Sequence, residues 1–309
     1  MALLFRASGE GGGEWVAPLR AAMPDEDIRF WPDVGDPAEI DAALVWKPPS
    51  GWLATLPNLK AILSLGAGVD HILQDTALPA GVPIIRLVDP AMAEAMTEWI
   101  VLQVLRLHRQ DVDYAAQQRE RVWRRHDQPL ARERRIGILG LGTLGCHAGQ
   151  ALRSLGFDVA GWSRSRKSVP DIASFAGLDE LESFLARTDI LVLLLPLTAD
   201  TDGLLNSVRL AQLPRGAGIV NAARGRHIVD EAVLTALGSG HISAAVLDVF
   251  QHEPLPPEHP YWSHPRVVVS PHAAAATDAR SASVIMSDTV RRLRSGAELI
   301  DRVEPGTGY

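Results

Sequence analysis

From Arg135 onward the chain alternates short, almost wholly apolar runs with longer segments of mixed polarity. The runs Ile136–Leu139, Val159–Trp162, Ile190–Leu195, Gly218–Asn221, Ala244–Phe250 and Val267–Ser270 predict strands. Their apolar character is nearly continuous rather than alternating, so both faces of each strand are expected to be covered, as in a parallel sheet between two helix layers. The segments between them, Thr143–Ser154, Asp179–Ala186, Ser207–Gln212 and Asp230–Leu237, have the length of crossover helices. That is the pattern of a doubly wound α/β domain.

The first ninety residues repeat the alternation less regularly, with strands expected at Ala2–Phe5, Ile28–Trp31, Ala43–Trp46, Ala61–Leu65 and Ile84–Leu87. They predict a separate, smaller α/β domain. Asp89-Pro90 closes that region, and Met92–Arg109 has the apolar spacing of one long helix. Pro271 interrupts the last strand region, and Thr277–Arg294 predicts a terminal helix with no obvious place in the second sheet. The expected division is therefore residues 1–90 with 275–309, against 91–274, with a hinge at each join.

Composition narrows the function classes. The chain has 309 residues, 47% apolar, and a formal net charge of −7, which disfavours a polyanion binder held by overall charge. A single Cys rules out a disulfide framework and suits a reducing compartment. No apolar run reaches the ~18 residues a membrane span needs, and the N-terminal residues lack a secretory pattern. A cytoplasmic protein is expected. No Cys/His spacing points to a metal.

Gly140-Leu141-Gly142-Thr143-Leu144-Gly145 follows one predicted strand directly and opens a predicted helix. In that context the three glycines allow a tight turn, close approach of backbone to a pyrophosphate, and close helix–strand packing. A dinucleotide-binding Rossmann domain is expected. The residue that reads the adenosine ribose should lie at the end of the next strand, where the chain reads Trp162-Ser163-Arg164-Ser165-Arg166-Lys167. No carboxylate is present to hold two ribose hydroxyls, whereas Ser163, Arg164, Ser165 and Lys167 suit a 2′-phosphate, so NADP(H) is expected over NAD(H). A solvated basic turn is the alternative reading.

Three polar clusters stand at later strand ends: Asn221-Ala222-Ala223-Arg224-Gly225, Asp248-Val249-Phe250-Gln251-His252-Glu253-Pro254, and Ser270-Pro271-His272. Together they offer a cation that can hold a carboxylate, an acid that can protonate a carbonyl oxygen, and a partner that keeps the acid charged. Arg224 supplies the first, His272 the second and Glu253 the third. Taken singly, each has an ordinary structural reading as an ion pair or loop histidine.

In order and approximate spacing these motifs resemble the D-2-hydroxyacid dehydrogenase family over nearly the whole chain. Within it, Val45-Trp46-Lys47-Pro48-Pro49, the Trp162–Lys167 segment and Glu253-Pro254-Leu255-Pro256-Pro257-Glu258 are most similar to the glyoxylate/hydroxypyruvate reductase A group. Ala273–Ala276 departs from the family's usual mixed sequence. The resemblance implies a flavodoxin-like substrate domain beside the dinucleotide-binding one, a cleft between them, and NADPH-dependent reduction of small 2-oxo acids. It places Asp248 at the nicotinamide carboxamide, Ala222 and Ala223 near the nicotinamide, and Leu195-Pro196-Leu197 on the adenosine. It also places substrate against Ala67, Gly68 and Val69, with Trp46 as a pocket wall.

The arm Arg119–Arg135 holds seven arginines and Trp123. Nucleic acid is not expected there; the resemblance implies a homodimer interface built from this arm and the long helix before it. Two rivals stay open: another D-2-hydroxyacid dehydrogenase, such as a phosphoglycerate dehydrogenase, and a non-catalytic dinucleotide-sensing scaffold. Cys146, near a helix N-terminus, reads as a small packing residue.

Overall fold

The computed structural model describes residues 1–7 and 12–303. The chain divides into two compact units: Met1–Met92 together with the segment beginning at Thr277, and Ala93–Ala276.

The first unit is built on β1 (Ala2–Arg6), β2 (Ile28–Phe30), β3 (Ile40–Val45), β4 (Ala61–Ser64) and β5 (Ile84–Ile85). Their order is β5-β4-β3-β1-β2, all parallel, which is the flavodoxin-like arrangement. β13 (Arg302–Val303) adds an antiparallel edge to β5. All six residues of β3, which lies between β4 and β1, are buried, as in a strand covered on both faces. α1 (Gly13–Ala22) and the terminal α9 (Ala279–Ser295) pack together, with Ser287 Oγ donating to the Ala22 carbonyl at 3.0 Å. Arg294 of α9 forms ion pairs with Glu26 and the buried Asp41. α1 escapes the apolar pattern because only Trp15 and Leu19 of its ten residues are buried.

The second unit holds seven parallel strands: β6 (Arg135–Leu139), β7 (Asp158–Ser163), β8 (Ala173–Ala176), β9 (Ile190–Leu193), β10 (Ala217–Asn221), β11 (Ile242–Leu247) and β12 (Val267–Val269). Their order is β12-β11-β10-β9-β6-β7-β8, so the winding direction reverses between β6 and β9. The crevice outside the carboxyl ends at such a reversal is where doubly wound sheets bind ligands. Successive residues of one strand enter opposite cores. Leu191 and Leu193 pack in one apolar cluster with Phe184 and Leu204, while Ile190 and Val192 pack in the other with Ile138 and Leu152.

Helices α5 (Thr143–Ser154) and α7 (Ser207–Gln212) coincide with the predicted segments. The strands end earlier than the apolar runs suggest: β9 stops at Leu193 rather than Leu195, and β11 at Leu247 rather than Phe250. Leu195 and Val249 are nonetheless buried, so the apolar run records burial while the backbone has already left the ladder. β8 carries no apolar run, since Ser174 interrupts a four-residue edge strand whose residues are only partly covered. Among the described residues no helix is long and apolar enough to cross a membrane.

Candidate active site

The carboxyl edge of the second sheet carries the Gly-rich turn after β6, the Leu195–Leu197 turn after β9, Ala222–Arg224 after β10, Asp248–Glu253 after β11 and Ser270–His272 after β12.

The Gly-rich turn does three different things with its glycines. Gly140 takes φ +111°, and a Cβ there would lie 2.6 Å from the Leu194 carbonyl oxygen. A Cβ on Gly145 would lie 1.8 Å from the Gly140 carbonyl oxygen, so strand and helix touch through bare backbone. Gly142 differs: a Cβ on it would meet nothing within 4 Å. It caps the twelve-residue α5, whose first N–H groups lack intrahelical partners. Open space before unpaired N–H donors at a positive helix end fits a pyrophosphate. Thr143 is exposed and Leu144 half-buried on the same turn. Cys146, one residue further on, has its Sγ 3.6 Å from the Leu141 carbonyl oxygen, and burial pushes its thiol up.

After β7, Arg164, Ser165 and Lys167 are exposed. Ser163 is buried and its hydroxyl donates to the Ser165 carbonyl at 2.7 Å, so that proton serves the turn itself. Arg166 is turned toward β8, where it bonds the Ser174 carbonyl, and it pairs with Glu180 in the turn after that strand. Glu180 also accepts from Ala176 N at 2.7 Å, and these donors hold its carboxyl below the usual range. Local pattern gives no sign of Glu180, because β8, which brings it here, has no apolar run.

Arg224 follows β10 in a turn closed by the fully buried Asn221, whose amide donates to the Arg224 carbonyl at 3.0 Å and whose Oδ1 accepts from Ala223 N at 3.1 Å. Ala222 and Ala223 are buried. The Arg224 guanidinium donates to the Ala223 carbonyl at 2.7 Å. A Cβ on Gly225 would lie 1.9 Å from the Phe250 carbonyl carbon, and Gln251 Nε2 donates to the Ile228 carbonyl at 2.9 Å. The Arg224 and Glu253 turns are thereby packed backbone to backbone.

His272 Nδ1 lies 2.9 Å from Glu253 Oε2, and Glu253 Oε1 accepts from Phe250 N at 3.2 Å. A carboxylate oxygen can only accept, so Nδ1 carries the proton, and Nε2 is the ring atom left for chemistry. His272 sits at φ +53°, a conformation that side chains other than glycine adopt reluctantly. Asp248 holds it there. Its Oδ1 accepts from Ser270 Oγ at 2.6 Å and Ala273 N at 2.9 Å, its Oδ2 from Ala274 N at 2.9 Å, and its backbone carbonyl from His272 N at 2.8 Å. Asp248 is 1% exposed, and its carboxylate is bound up with this turn.

In the first unit, Trp46 lies over Gly66: a Cβ on Gly66 would come 2.7 Å from the indole. The Trp46 ring also packs against His71, with centroids 4.3 Å apart and the planes tilted by 54°. Ser64 Oγ ties the loop that follows, donating to the Gly68 carbonyl at 3.1 Å and accepting from Gly66 N at 3.3 Å. Ala67 and Gly68 are half-buried, but Val69 is 2% exposed and its side chain belongs to the apolar core. Its side chain is therefore out of reach of a ligand. The helix after the loop, α2 (Asp70–Leu73), is a single turn.

The family model for the D-isomer specific 2-hydroxyacid dehydrogenase NAD-binding domain matches residues 101–274. A D-isomer specific 2-hydroxyacid dehydrogenase from Xanthobacter autotrophicus, solved with NADPH and MES, is 43% identical with a TM-score of 0.95, covering 100% of this chain and 99% of its own. An NADPH-dependent glyoxylate/hydroxypyruvate reductase from Sinorhizobium meliloti, solved with NADP and sulfate, is 37% identical with a TM-score of 0.94 over the same shares. A probable 2-hydroxyacid dehydrogenase from Rhizobium etli, solved with NADP, HEPES and L(+)-tartaric acid, is 35% identical with a TM-score of 0.92, again over 100% and 99%. Likeness of this degree along the full length, joined to a Gly-rich turn and an Arg/Glu/His set on one sheet edge, makes the chain a member of the D-isomer specific 2-hydroxyacid dehydrogenase family.

Proposed function

We propose that this protein reduces small 2-oxo acids, glyoxylate and hydroxypyruvate, to the corresponding 2-hydroxy acids with NADPH, and with NADH less well. The observation that carries this reading is the 2.9 Å pair between His272 Nδ1 and Glu253 on the sheet edge that also bears Arg224 and the open Gly142. When bound, NADPH supplies the hydride. The Gly140–Gly145 turn with Thr143 and Leu144 would hold its pyrophosphate, Arg164, Ser165 and Lys167 would meet its 2′-phosphate, and Leu195–Leu197 with Ala222 and Ala223 would line its rings.

Arg224 takes the substrate carboxylate in its planar fork and polarises the neighbouring carbonyl. Protonated His272 gives its Nε2 proton to the carbonyl oxygen as the carbon accepts the hydride, so that the C=O bond becomes C–O–H and the imidazole is left neutral. Glu253 stabilises the imidazolium before the transfer and fixes the ring through Nδ1. At 37% side-chain exposure, His272 regains its proton from solvent.

The purified protein should oxidise NADPH with glyoxylate and hydroxypyruvate faster than with phenylpyruvate or 3-phosphohydroxypyruvate. Preference for either bulkier acid would sink the substrate reading. Cofactor binding without turnover on any 2-oxo acid would favour a dinucleotide-sensing scaffold.

The reading includes a homodimer formed through the long helix and the arginine-rich arm, supported by the exposed apolar side chains of Leu102, Trp123 and Leu130. Light scattering that returns a monomer mass would refute it. A cytoplasmic location accords with the single free cysteine.

A further inference from the structure

His227 is fully buried, yet no step of the reduction uses it. It stands three residues beyond Arg224, in a short 3₁₀ turn (Gly225–His227) before α8 (Asp230–Gly238). Its Nδ1 lies 3.3 Å from Arg224 N, and its Nε2 lies 3.2 Å from the Pro196 carbonyl oxygen. A peptide nitrogen only donates and a carbonyl oxygen only accepts. The two partners therefore fix the ring: Nδ1 bare, the proton on Nε2, the imidazole neutral.

We propose that His227 is a positioning residue for Arg224, resting on the reading that Arg224 binds the substrate carboxylate. The neutral ring ties the Arg224 peptide to the turn after β9 and so sets where the guanidinium starts. The two ends of this tie are not equally dependent on it. The Pro196 carbonyl also accepts from Thr201 Oγ1 at 2.8 Å, and Thr201 Oγ1 accepts from Thr198 N at 2.8 Å, so the β9 turn keeps its shape without His227. Loss of the imidazole should accordingly weaken the handling of the substrate more than that of the cofactor.

The test compares His227→Leu, which keeps the bulk and removes both bonds, with His227→Gln, whose Oε1 and Nε2 reproduce an acceptor and a donor. H227L is expected to lower kcat/KM for glyoxylate by about tenfold or more, with the dissociation constant for NADPH within about threefold of wild type and H227Q recovering most of the loss. Equal activity of both variants and wild type would overturn the proposal, as would losses in both that merely follow their melting temperatures. Should H227L fail to fold, ¹H–¹⁵N spectra of wild-type imidazoles at pH 7 decide: the Nε2–H tautomer is expected at His227, and the Nδ1–H tautomer or an imidazolium would refute it. Wild type that turns over no 2-oxo acid would sink the proposed function instead, and the tautomer, read without substrate, would still judge His227.

Discussion

Asp248 and His272 are joined twice: the Asp248 backbone carbonyl accepts from His272 N at 2.8 Å, and the Asp248 carboxylate pins the residues on either side of His272. The aspartate thus pays the cost of a left-handed histidine, of order 1–3 kcal/mol, with charge-assisted hydrogen bonds made away from solvent. Asp248→Asn leaves one acceptor but faces Ala274 N with an amide donor. Turnover is expected to fall about tenfold or more, and NADPH affinity, measured by fluorescence titration, to fall much less. A large loss of NADPH affinity with turnover intact at saturation would return Asp248 to a direct carboxamide contact.

Removing the acid itself should cost more. His272→Ala is expected to lower kcat by about 10² or more, because proton transfer in the transition state is lost while cofactor contacts persist. Glu253→Gln keeps the size of the side chain but removes the carboxylate that meets His272 Nδ1 at 2.9 Å, so kcat is expected to fall about tenfold or more with NADPH affinity little changed. Unchanged kcat in the Glu253 variant would dissociate Glu253 from His272.

The glycines of the β6 turn separate folding from binding. Gly145→Ala drives a methyl into the Gly140 carbonyl, and overpacking of this kind costs about 1–3 kcal/mol or more, visible as a fall in melting temperature. Gly142→Ala has space, so its melting temperature should hold while NADPH binds more weakly. Undiminished NADPH affinity in the Gly142 variant would show that the pyrophosphate lies elsewhere.

The three cations after β7 are not equivalent. Arg164→Ala should reduce kcat/KM for NADPH at least about tenfold and leave NADH nearly unaffected, since only NADPH carries the 2′-phosphate. Arg166→Ala, whose side chain is engaged by Glu180 and the Ser174 carbonyl, should change cofactor preference by less than about threefold. The reverse ranking would show that Arg166 exchanges partners to meet the phosphate.

One ion pair should register in acid stability. Burial works to raise the Asp189 carboxyl, but hydrogen bonds from the Arg135 guanidinium and peptide outweigh it, and the carboxyl lies below its ordinary value. A carboxylate depressed in the fold stabilises above its unfolded pKa of about 3.9 and loses that contribution as pH falls. Asp189→Asn should therefore melt earlier than wild type at pH 7, with the gap narrowing below about pH 4. A gap independent of pH would make the loss one of packing.

Much of this was written in local pattern. Continuous apolar runs reported strands buried on both faces, and the strand–glycine–helix succession around Gly140 reported a turn that only bare backbone can make. The fold class and the family were legible because both depend on residues near in sequence. The environment of each side chain was not. Val69 looks like a loop residue beside Gly68, yet its side chain packs in the core; Arg166 and Arg164 look alike, yet the turn after β8 brings Glu180 to one of them. His227 is an unremarked histidine in the sequence, and only the meeting of the β9 and β10 turns makes it a bridge between Arg224 and Pro196. Hydrophobic periodicity reports whether a position is covered, which is a local average over neighbours. Hydrogen-bond partners are chosen by which strand ends the sheet order brings side by side, and that order exists only in the folded chain.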